Sequence, residues 1–392
     1  MCIFQGSNKR FYILNLKELK KPKDVATSHA LIWNSLTTSL SFSKPLKGKS
    51  VFNPRPYNSS HIVYLKVHKA ASSTVQNIVM RASMKRNLTF ALPARNNTHQ
   101  FGWPAKFSRF KHLKKLPSKP DVLCLHTVLS DSLIKTMPQD SFYFTSLRDP
   151  FTQIRSMFEY YNLSKCLYPK HSATLLEVIG SGKNACDILV IKSPQAFDLG
   201  INLRNADNDT VIADFIQLVE KQFHFVIIVE YFNECLILLR DMLGWTTQDI
   251  LYFKSNFKGK RKQLATNLTL LPEDNEKTRA IIYKFLKADL ALYKHFKSKL
   301  EQTIASKKDY INAEIVKLKH LQKIWMADCV KDFLPANELP DKRFQPYGAG
   351  SYGYLLTEKG FDNSTCVSLS ITELPHFQEL NKYQNKLLNI ST

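Results

Sequence analysis

The sequence predicts an α/β fold in which a parallel sheet is flanked by helices, and three strand-to-helix units carry this prediction. In each unit, a short run of β-branched and aromatic residues is followed by a polar loop and then by apolar residues at helical spacing. The units occupy residues 62–82, 142–161 and 223–243. Strands that alternate with helices in this way are typical of a parallel sheet with helices on its faces.

The elements of each unit can be assigned in chain order. The first unit begins with the strand IVYL at residues 62–65, and its helix is marked by the apolar residues Val75, Ile78, Val79 and Ala82. In the second unit, a strand at 142–147 leads to Asp149 and Pro150, which suit an N-cap and a first helical position. The third unit joins a strand at 223–229 to a helix through Leu236, Leu239 and Leu243.

Both ends of the chain differ from this core. Residues 1–57 are basic and polar, without sustained periodicity, and predict a stem or linker. Residues 276–325 are helical in pattern, with an apolar stripe made of Ile281, Phe285, Leu292, Tyr293 and Phe296. The stretch 335–360 is rich in Pro and Gly and predicts a turn-rich extension on the surface. We therefore expect one large domain at 58–392 behind the stem.

The charge of the chain is strongly positive. Among 392 residues, 55 Lys and Arg oppose 33 Asp and Glu, which gives +22 at pH 7. This balance favours polyanionic partners, which include nucleic acid, sulfated glycans, anionic membranes and phosphorylated cofactors. No zinc-finger, RRM or helix-turn-helix signature accompanies the charge, so we expect no nucleic-acid partner. With only 12 Gly and 17 Pro, the composition excludes collagen-like and low-complexity chains.

Two features indicate the secretory pathway. Eight Asn-X-Ser/Thr sequons are present, at Asn58, Asn87, Asn96, Asn162, Asn208, Asn267, Asn363 and Asn389. Seven Cys residues show no metal-binding spacing, which leaves disulfides or buried thiols and predicts no metal site. No apolar run approaches the ~18 residues that span a bilayer, and residues 1–23 lack the apolar centre of a signal peptide. We expect a secretory-pathway protein whose membrane anchor is not in this sequence.

The stretch most informative about function is LKVHKAASSTVQN, residues 65–77. A hydrophobic strand runs there into a loop of small and hydroxyl-bearing residues that opens a helix, which aims backbone N–H groups and a helix dipole at a phosphate. Lys69 adds a point charge, and hydroxyl donors come from Ser72, Ser73 and Thr74. The stretch lacks the glycines and the GK[ST] order of a Walker A loop, so ATP hydrolysis is not indicated. Taken alone, the pattern also fits an ordinary strand–loop–helix connection.

A second candidate anion site follows the strand of the second unit. Arg148 leaves that strand, and Ser156 follows eight residues later in the next helix, where a guanidinium and a hydroxyl can grip one phosphate. Open α/β sheets bind ligands at the carboxyl ends of their strands, where both loops are expected to lie. Two anion-binding loops of different chemistry predict one ligand with two phosphate groups.

The sequence resembles the galactose-3-O-sulfotransferase family, and the two candidate anion loops are part of this resemblance. Residues 65–77 are similar to the family's 5′-phosphosulfate loop, and TSLRDPFTQIRSMFEYY, residues 145–161, is similar to its 3′-phosphate segment. Further similar stretches are NLTFALP, FDLG, VEYFNECLILLRDMLGW, LYKHF and PYGAGSYGYLL. The similarity runs from about residue 61 into the C-terminal region. It implies a P-loop-like sulfotransferase core within a catalytic domain at 58–392.

The resemblance implies transfer of the sulfuryl group of 3′-phosphoadenosine 5′-phosphosulfate (PAPS) to the 3-hydroxyl of a terminal β-galactose, on a glycolipid or glycan, in the Golgi lumen or at its membrane. It assigns nucleotide binding to Lys69, Ala71, Ser72, Ser73, Thr74, Arg148 and Ser156. Sulfuryl transfer, like phosphoryl transfer, passes in line through a loose anionic transition state, which Lys66 and Lys69 are placed to stabilise. His68 lies between these lysines and is the candidate general base for the hydroxyl proton.

His126 is a candidate contact for the acceptor, because it aligns with a histidine of the family's second-strand segment. The family usually has paired histidines followed by an arginine there, whereas this sequence has Leu125-His126-Thr127-Val128. A second departure is Lys192-Ser193-Pro194, where the family usually has an asparagine-bearing stretch. Both departures lie where acceptor preference could reside, so the acceptor is less well defined than the donor.

Two other functions fit the same residues: a carbohydrate sulfotransferase that acts on another hydroxyl or sugar, and a catalytically weakened glycan-binding protein that keeps the basic cleft.

Two runs of basic residues lie outside these two loops. The first contains Lys106, Arg109, Lys111, Lys114, Lys115 and Lys119, and the second contains Lys254, Lys258, Lys260, Arg261 and Lys262. A solvated surface is the usual explanation of such runs, and the second is also a candidate for binding the nucleotide 3′-phosphate.

Overall fold

The centre of the fold is a four-stranded parallel sheet with strand order β2-β1-β3-β4. The computed structural model describes residues 60–94, 99–181, 190–258, 270–348 and 350–389. The strands of the sheet are β1 (Ile62–Leu65), β2 (Val122–Leu123), β3 (Phe142–Leu147) and β4 (Phe225–Ile228). All of their residues are buried, as expected for parallel strands covered on both faces. The predicted α/β fold with a parallel sheet is confirmed.

Helices connect these strands and cover both faces of the sheet. Within the described residues they are α1 (Ser72–Met84), α2 (Arg109–His112), α3 (Asp131–Thr136), α4 (Pro150–Tyr160), α5 (Leu163–Leu167), α6 (Leu175–Gly180), α7 (Pro194–Asp198), α8 (Asp209–Gln222) and α9 (Phe232–Leu243). The apolar residues that predicted α1 are all buried. The N-cap of α4 is Asp149, as predicted, and Pro150 is its first residue.

The register of the sheet places the two candidate anion loops side by side. β1 and β3 are neighbours, with Leu65 opposite Thr145, and both chains run in the same direction. The loop that enters α1 and the loop that enters α4 therefore leave the same edge of the sheet.

The C-terminal part of the chain adds long helices and a second, antiparallel sheet. The helices are α10 (Glu276–Phe285), α11 (Lys287–Ser306), α12 (Lys308–Cys329), α13 (Glu358–Asp362), α14 (Ser364–Ser370) and α15 (Glu373–Leu387). The strands are β5 (Phe257–Lys258), β6 (Val330–Pro335) and β7 (Ser351–Leu356), in the order β5-β7-β6. The helical prediction for 276–325 is confirmed, but Ile281 is 47% exposed and was wrongly placed on the buried stripe.

The stretch predicted as a turn-rich surface extension, 335–360, also contains a strand of this sheet. Tyr354 and Leu356 on β7 are buried in a local apolar core. Gly353 is required by packing, because a Cβ at this position would clash with the carbonyl oxygen of Phe344. A glycine that serves close approach inside a strand carries the same sequence signal as a turn, which is why the strand was missed.

The described part of the chain contains both disulfide-bonded and free cysteines. A disulfide joins Cys329 to Cys366, and Cys166 is also disulfide-bonded, whereas Cys124 and Cys235 are buried free thiols. The predicted stem lies outside the described residues, and the boundary at residue 58 stays a prediction. Among the helices that are described, none combines the length and the apolar character needed to cross a membrane.

Candidate active site

The loop between β1 and α1 has the backbone geometry of an anion-binding turn. Lys69 and Ala71 adopt left-handed conformations, with φ of 57° and 56°. Such angles are uncommon outside glycine and cost free energy, and alternating left-handed residues turn successive N–H groups into one concavity. Ala71 is the N-cap of α1 and offers no side-chain acceptor. The N–H groups of Ser72 and Ser73 therefore have no intrahelical acceptor and remain available to an anion.

His68, at the centre of this loop, is held by a buried carboxylate. Its Nδ1 lies 2.8 Å from Oδ2 of Asp198, and its backbone N–H donates to the same oxygen at 2.9 Å. Both side chains are almost fully buried. Since a carboxylate accepts, Nδ1 carries a proton, and in the neutral form of the ring Nε2 is the nitrogen with the lone pair. Asp198 also accepts from Trp103 Nε1 at 2.7 Å, so the carboxylate itself is fixed.

Two aromatic rings enclose the imidazole of His68. His126 stacks on it with a centroid distance of 3.9 Å, and the Trp103 ring lies 4.3 Å away. Nδ1 of His126 donates to the carbonyl oxygen of Lys66 at 3.2 Å. Burial, together with the neighbouring His68 and Lys66, holds the pKa of His126 well below its usual value. His126 is therefore a neutral ring, and with the proton on Nδ1 its Nε2 can act only as an acceptor.

Lys66 is fully buried and is committed to partners within the protein. Its ammonium forms an ion pair with Glu373 at the start of α15 and donates to Oε1 of Gln76. Burial lowers the pKa of Lys66, and the Glu373 carboxylate partly offsets this effect. Burial alone would raise the pKa of Glu373, but the charges of Lys66 and His99, with hydrogen bonds from Lys66 and Ser73, lower it to about 2. The pair is thus ionised, and it ties α15 to the anion loop.

Arg148 stands at the end of β3 and reaches the first loop. Its Nε donates to Thr152 Oγ1 at 3.1 Å, and its Nη1 donates to the carbonyl oxygen of Lys69 at 3.3 Å. The side-chain amide of Gln195 bonds both the N–H and the carbonyl of Arg148, each at 2.8 Å. Burial lowers the pKa of Arg148, and the nearby Glu230 and Asp149 partly offset this. The described bonds use two of the five guanidinium N–H donors.

The remaining predicted residues lie around the same loops. The ammonium of Lys69 sits 3.4 Å above the ring of Tyr160 on α4, a cation–π contact. Ser73 Oγ donates to Glu373 at 2.8 Å, and Thr74 Oγ1 accepts from the N–H of Ser255 at 3.2 Å. Ser156 is half-buried on α4. The structure thus places the predicted residues on two adjoining loops, with Lys66 and two of the hydroxyls engaged by other parts of the chain.

The donors of this site suit a ligand with two phosphate groups. One group would meet the N–H groups at the start of α1 and the Lys69 charge, and the other would meet Arg148 and Ser156. Nε2 of Gln76 is a buried donor without a hydrogen-bond partner among the described residues, which is consistent with a polar ligand beside the loop.

Asp198, Trp103 and Glu373 also contact the predicted site residues, although none of the three was predicted from the sequence. Asp198 had a signal: it is the one carboxylate in the apolar stretch FDLG, and a buried carboxylate must be paired. Trp103 and Glu373 had none, because they lie far from the loop in sequence and meet it only through the tertiary fold. Predicted residues Lys260, Arg261 and Lys262 lie outside the described residues.

Comparison with known proteins identifies relatives along most of the chain. The sequence model of the family described as galactose-3-O-sulfotransferase matches residues 2–386. Galactose-3-O-sulfotransferase 3 from Bos taurus is 30% identical over 353 residues, which cover 85% of this chain and 80% of the relative. Galactose-3-O-sulfotransferase 2 from Mus musculus is 30% identical over 350 residues, covering 83% and 85%. Galactosylceramide sulfotransferase from Homo sapiens is 29% identical over 299 residues, covering 73% and 68%.

Proposed function

This chain belongs to the galactose-3-O-sulfotransferase family, and we propose that it transfers a sulfuryl group from PAPS to the 3-hydroxyl of a terminal β-galactose on a glycolipid or glycan. Its class, carbohydrate sulfotransferase, follows from the same relatives. The observation that carries the proposal is the buried His68–Asp198 pair, in which His68 belongs to the candidate anion-binding loop at the carboxyl edge of a parallel sheet.

The proposed roles at the donor end follow from the charges of the two loops. PAPS supplies an activated sulfuryl group with a bisphosphate nucleotide as its leaving group. The N–H groups of Ser72 and Ser73, the hydroxyls up to Thr74 and the Lys69 charge would hold the 5′-phosphosulfate. Arg148 and Ser156 would hold the 3′-phosphate. Lys66, paired with Glu373, would fix the loop and contribute its charge from behind it.

At the acceptor end, His68 is proposed as the general base. Nε2 would take the proton of the 3-hydroxyl as the new O–S bond forms and the bond from sulfur to the phosphate oxygen breaks in line. The imidazolium that results would be stabilised by the Asp198 carboxylate, whose hydrogen bond to Nδ1 also keeps the ring in one tautomer. His126, stacked on His68, and Trp103 would form the wall against which the sugar binds.

Two alternatives share this site. A different hydroxyl or a different sugar would leave the donor loops unchanged, since the sequence departs from the family pattern around His126 and Lys192. A weakened glycan-binding protein would keep the basic cleft without turnover.

We also propose that the protein acts in the Golgi lumen or at its membrane, which the sequons and the Cys329–Cys366 disulfide favour.

The test is incubation with radiolabelled PAPS and a set of galactosides, followed by determination of the sulfated position. Lactose-type and galactosylceramide acceptors are expected to take label at the 3-hydroxyl of galactose. Label at another position would support the first alternative. Binding of 3′,5′-bisphosphate nucleotide without transfer to any galactoside would overturn the enzymatic proposal.

A further inference from the structure

One surface feature is not used by the proposed reaction. Residues 106–119, called here the basic loop, contain six Lys or Arg residues and no Asp or Glu. At its centre Phe110 is 96% exposed, the highest value among the large hydrophobic residues that the structure describes as exposed. A single exposed apolar residue is unremarkable. A fully exposed phenylalanine within an uninterrupted run of cations is a more specific combination.

Five of the six cations of the basic loop fall into two groups. Lys114 donates to Asn385 at 3.0 Å and Lys119 donates to backbone carbonyls, so these two serve the fold. Arg109, Lys111 and Lys115 are exposed and pair with no carboxylate in the described part of the chain. Arg109 and Lys111 flank Phe110 in sequence, and Lys115 lies five residues beyond it. All three are available to an anionic partner.

The charged residues of the neighbouring element do not neutralise the positive charge of the basic loop. α3, which packs against α2, contributes Asp131 and also Lys135. Asp131 acts on Lys106, at the start of the loop, where it opposes the effect of burial on the pKa of that lysine. The exposed part around Phe110 keeps its positive charge.

The part of the basic loop that carries Phe110, residues 106–114, is anchored at both ends, so its tip is presented in a fixed position. Lys106 forms a β-bridge with Val128, and Leu113 forms one with Pro93. The N–H of Lys114 donates to the carbonyl of Leu92 at 2.8 Å. A tip held in this way loses little conformational freedom when it binds a surface.

The basic loop also lies close to the candidate active site along the chain. Trp103, whose ring contacts His68, precedes Phe110 by seven residues. Seven residues span at most about 25 Å even when fully extended. The backbones of Phe110 and Trp103 therefore lie within about 25 Å of each other.

We propose that Arg109, Phe110, Lys111 and Lys115 form a docking surface for an anionic lipid bilayer. A bilayer interface accepts an aromatic ring at its headgroup boundary and attracts the surrounding cations, whereas a soluble polyanion would use the cations alone. Phe110 is the residue that favours the bilayer. The consequence for catalysis, delivery of a membrane-embedded galactolipid to His68, rests on the function proposed above; the binding itself does not.

The binding is tested with the full chain and vesicles of phosphatidylcholine, with and without phosphatidylserine. We expect preference for the anionic vesicles. Replacing Arg109, Lys111 and Lys115 together by Gln should lower vesicle affinity about fivefold for each cation removed, and Phe110→Ser should lower it about tenfold. The matched controls are Val316→Ser, 68% exposed on α12, and the triple replacement of the exposed Lys319, Lys323 and Lys331 by Gln. Both controls should retain vesicle affinity.

Two results would overturn the docking surface. One is equal vesicle affinity of the Phe110→Ser variant and the Val316→Ser control. The other is a loss of heparin binding in the triple Gln variant while Phe110→Ser leaves vesicle binding unchanged, which would make the surface a site for soluble polyanions. All substituted positions are exposed, so thermal midpoints should be unchanged and folding does not confound the comparison.

Turnover separates this proposal from the proposed function. The loop variants should sulfate a soluble galactoside at the normal rate but lose turnover on a galactolipid embedded in anionic vesicles. If the unsubstituted protein binds vesicles through Phe110 but transfers sulfate to neither acceptor, the proposed function fails and the docking surface stands. If it transfers sulfate and the loop variants act normally on embedded galactolipid, the catalytic consequence fails and the function stands.

Discussion

The two strand-to-helix units at the centre of the sheet share one architecture but present different groups to an anion. After β1, α1 begins at a left-handed alanine without a side-chain cap among the described residues, so its first N–H groups are open. After β3, α4 begins at Asp149, whose carboxylate accepts from the N–H of Thr152 at 3.0 Å. A carboxylate at that helix start repels a second anion. The second unit must therefore bind with side chains, and Arg148 is the candidate.

The two units also differ in what holds them. His68 and Lys66 in the first unit contact Asp198 and Glu373, which are 130 and 307 residues away. Arg148 in the second unit bonds Thr152, four residues away at the start of α4, and also Gln195 and the Lys69 carbonyl, which are 47 and 79 residues away. Both units therefore depend on the tertiary fold, but Lys66 and His68 are held by carboxylates from distant elements, whereas the described hydrogen-bond partners of Arg148 are neutral. Substitutions in the two units should fail in different ways.

The largest effect is expected from Asp198→Asn. The amide can leave His68 in the wrong tautomer and no longer stabilises an imidazolium, so kcat should fall about a thousandfold or more. Affinity for the bisphosphate nucleotide should not change, as measured by calorimetry. Asp207→Asn, at an exposed carboxylate nine residues later, is the matched control. A kcat within threefold of the unsubstituted protein would remove Asp198 from the site.

Asp289 should make the free energy of unfolding fall as the pH rises, which is the opposite of the usual effect of a carboxylate. It accepts from the N–H groups of Ala196 and Gln195 at the start of α7, the helix that carries Asp198. Burial raises its pKa to about 7, although these bonds lower it. The folded state then holds a proton that the unfolded state releases, so this contribution is full below pH ~4 and is lost as pH rises through about 7.

The measurement is denaturant unfolding between pH 4 and 8. Relative to Asp289→Asn, the unsubstituted protein should lose as much as ~4 kcal/mol of unfolding free energy across this range. Parallel curves for the two proteins would contradict the raised pKa.

Glu373→Gln should destabilise the first unit from a distance. It leaves the fully buried Lys66 ammonium without its counter-charge, which should cost about 3 kcal/mol at neutral pH. Because the pKa of Glu373 is lowered to about 2, its contribution is present above pH ~4.5 and is lost as pH falls toward about 2. Glu379→Gln, on the same helix, is the control. Equal unfolding free energies for the two variants would show that α15 does not support the loop.

The second unit should respond through affinity instead. Arg148→Ala should weaken binding of 3′,5′-bisphosphate nucleotide about 30-fold, because charge-assisted contacts to one phosphate are lost. The matched ligand is the 5′-phosphate nucleotide that lacks the 3′-phosphate, for which the same substitution should change affinity little. Equal losses with both ligands would place Arg148 elsewhere than at the 3′-phosphate.

Much of the local structure could be predicted from the sequence, whereas the assembly of the site could not. The strand at 62–65 and the Asp149-Pro150 helix start are encoded by neighbouring residues, and both are found as predicted. The ion pair between Lys66 and Glu373 depends on where α15 docks, which no local pattern records. The strand at 351–356 was hidden because Gly353 serves packing within a strand and was taken as a turn signal.

The proposed mechanism depends on His68 accepting the proton of the galactose hydroxyl during sulfuryl transfer. The direct measurement compares His68→Ala with the unsubstituted protein in a single-turnover assay with labelled PAPS and a soluble galactoside, alongside calorimetric binding of the bisphosphate nucleotide. Transfer should fall at least a thousandfold, since Asp198 acts only through His68, while nucleotide affinity stays within threefold. Normal transfer by His68→Ala would contradict the role of His68 as general base.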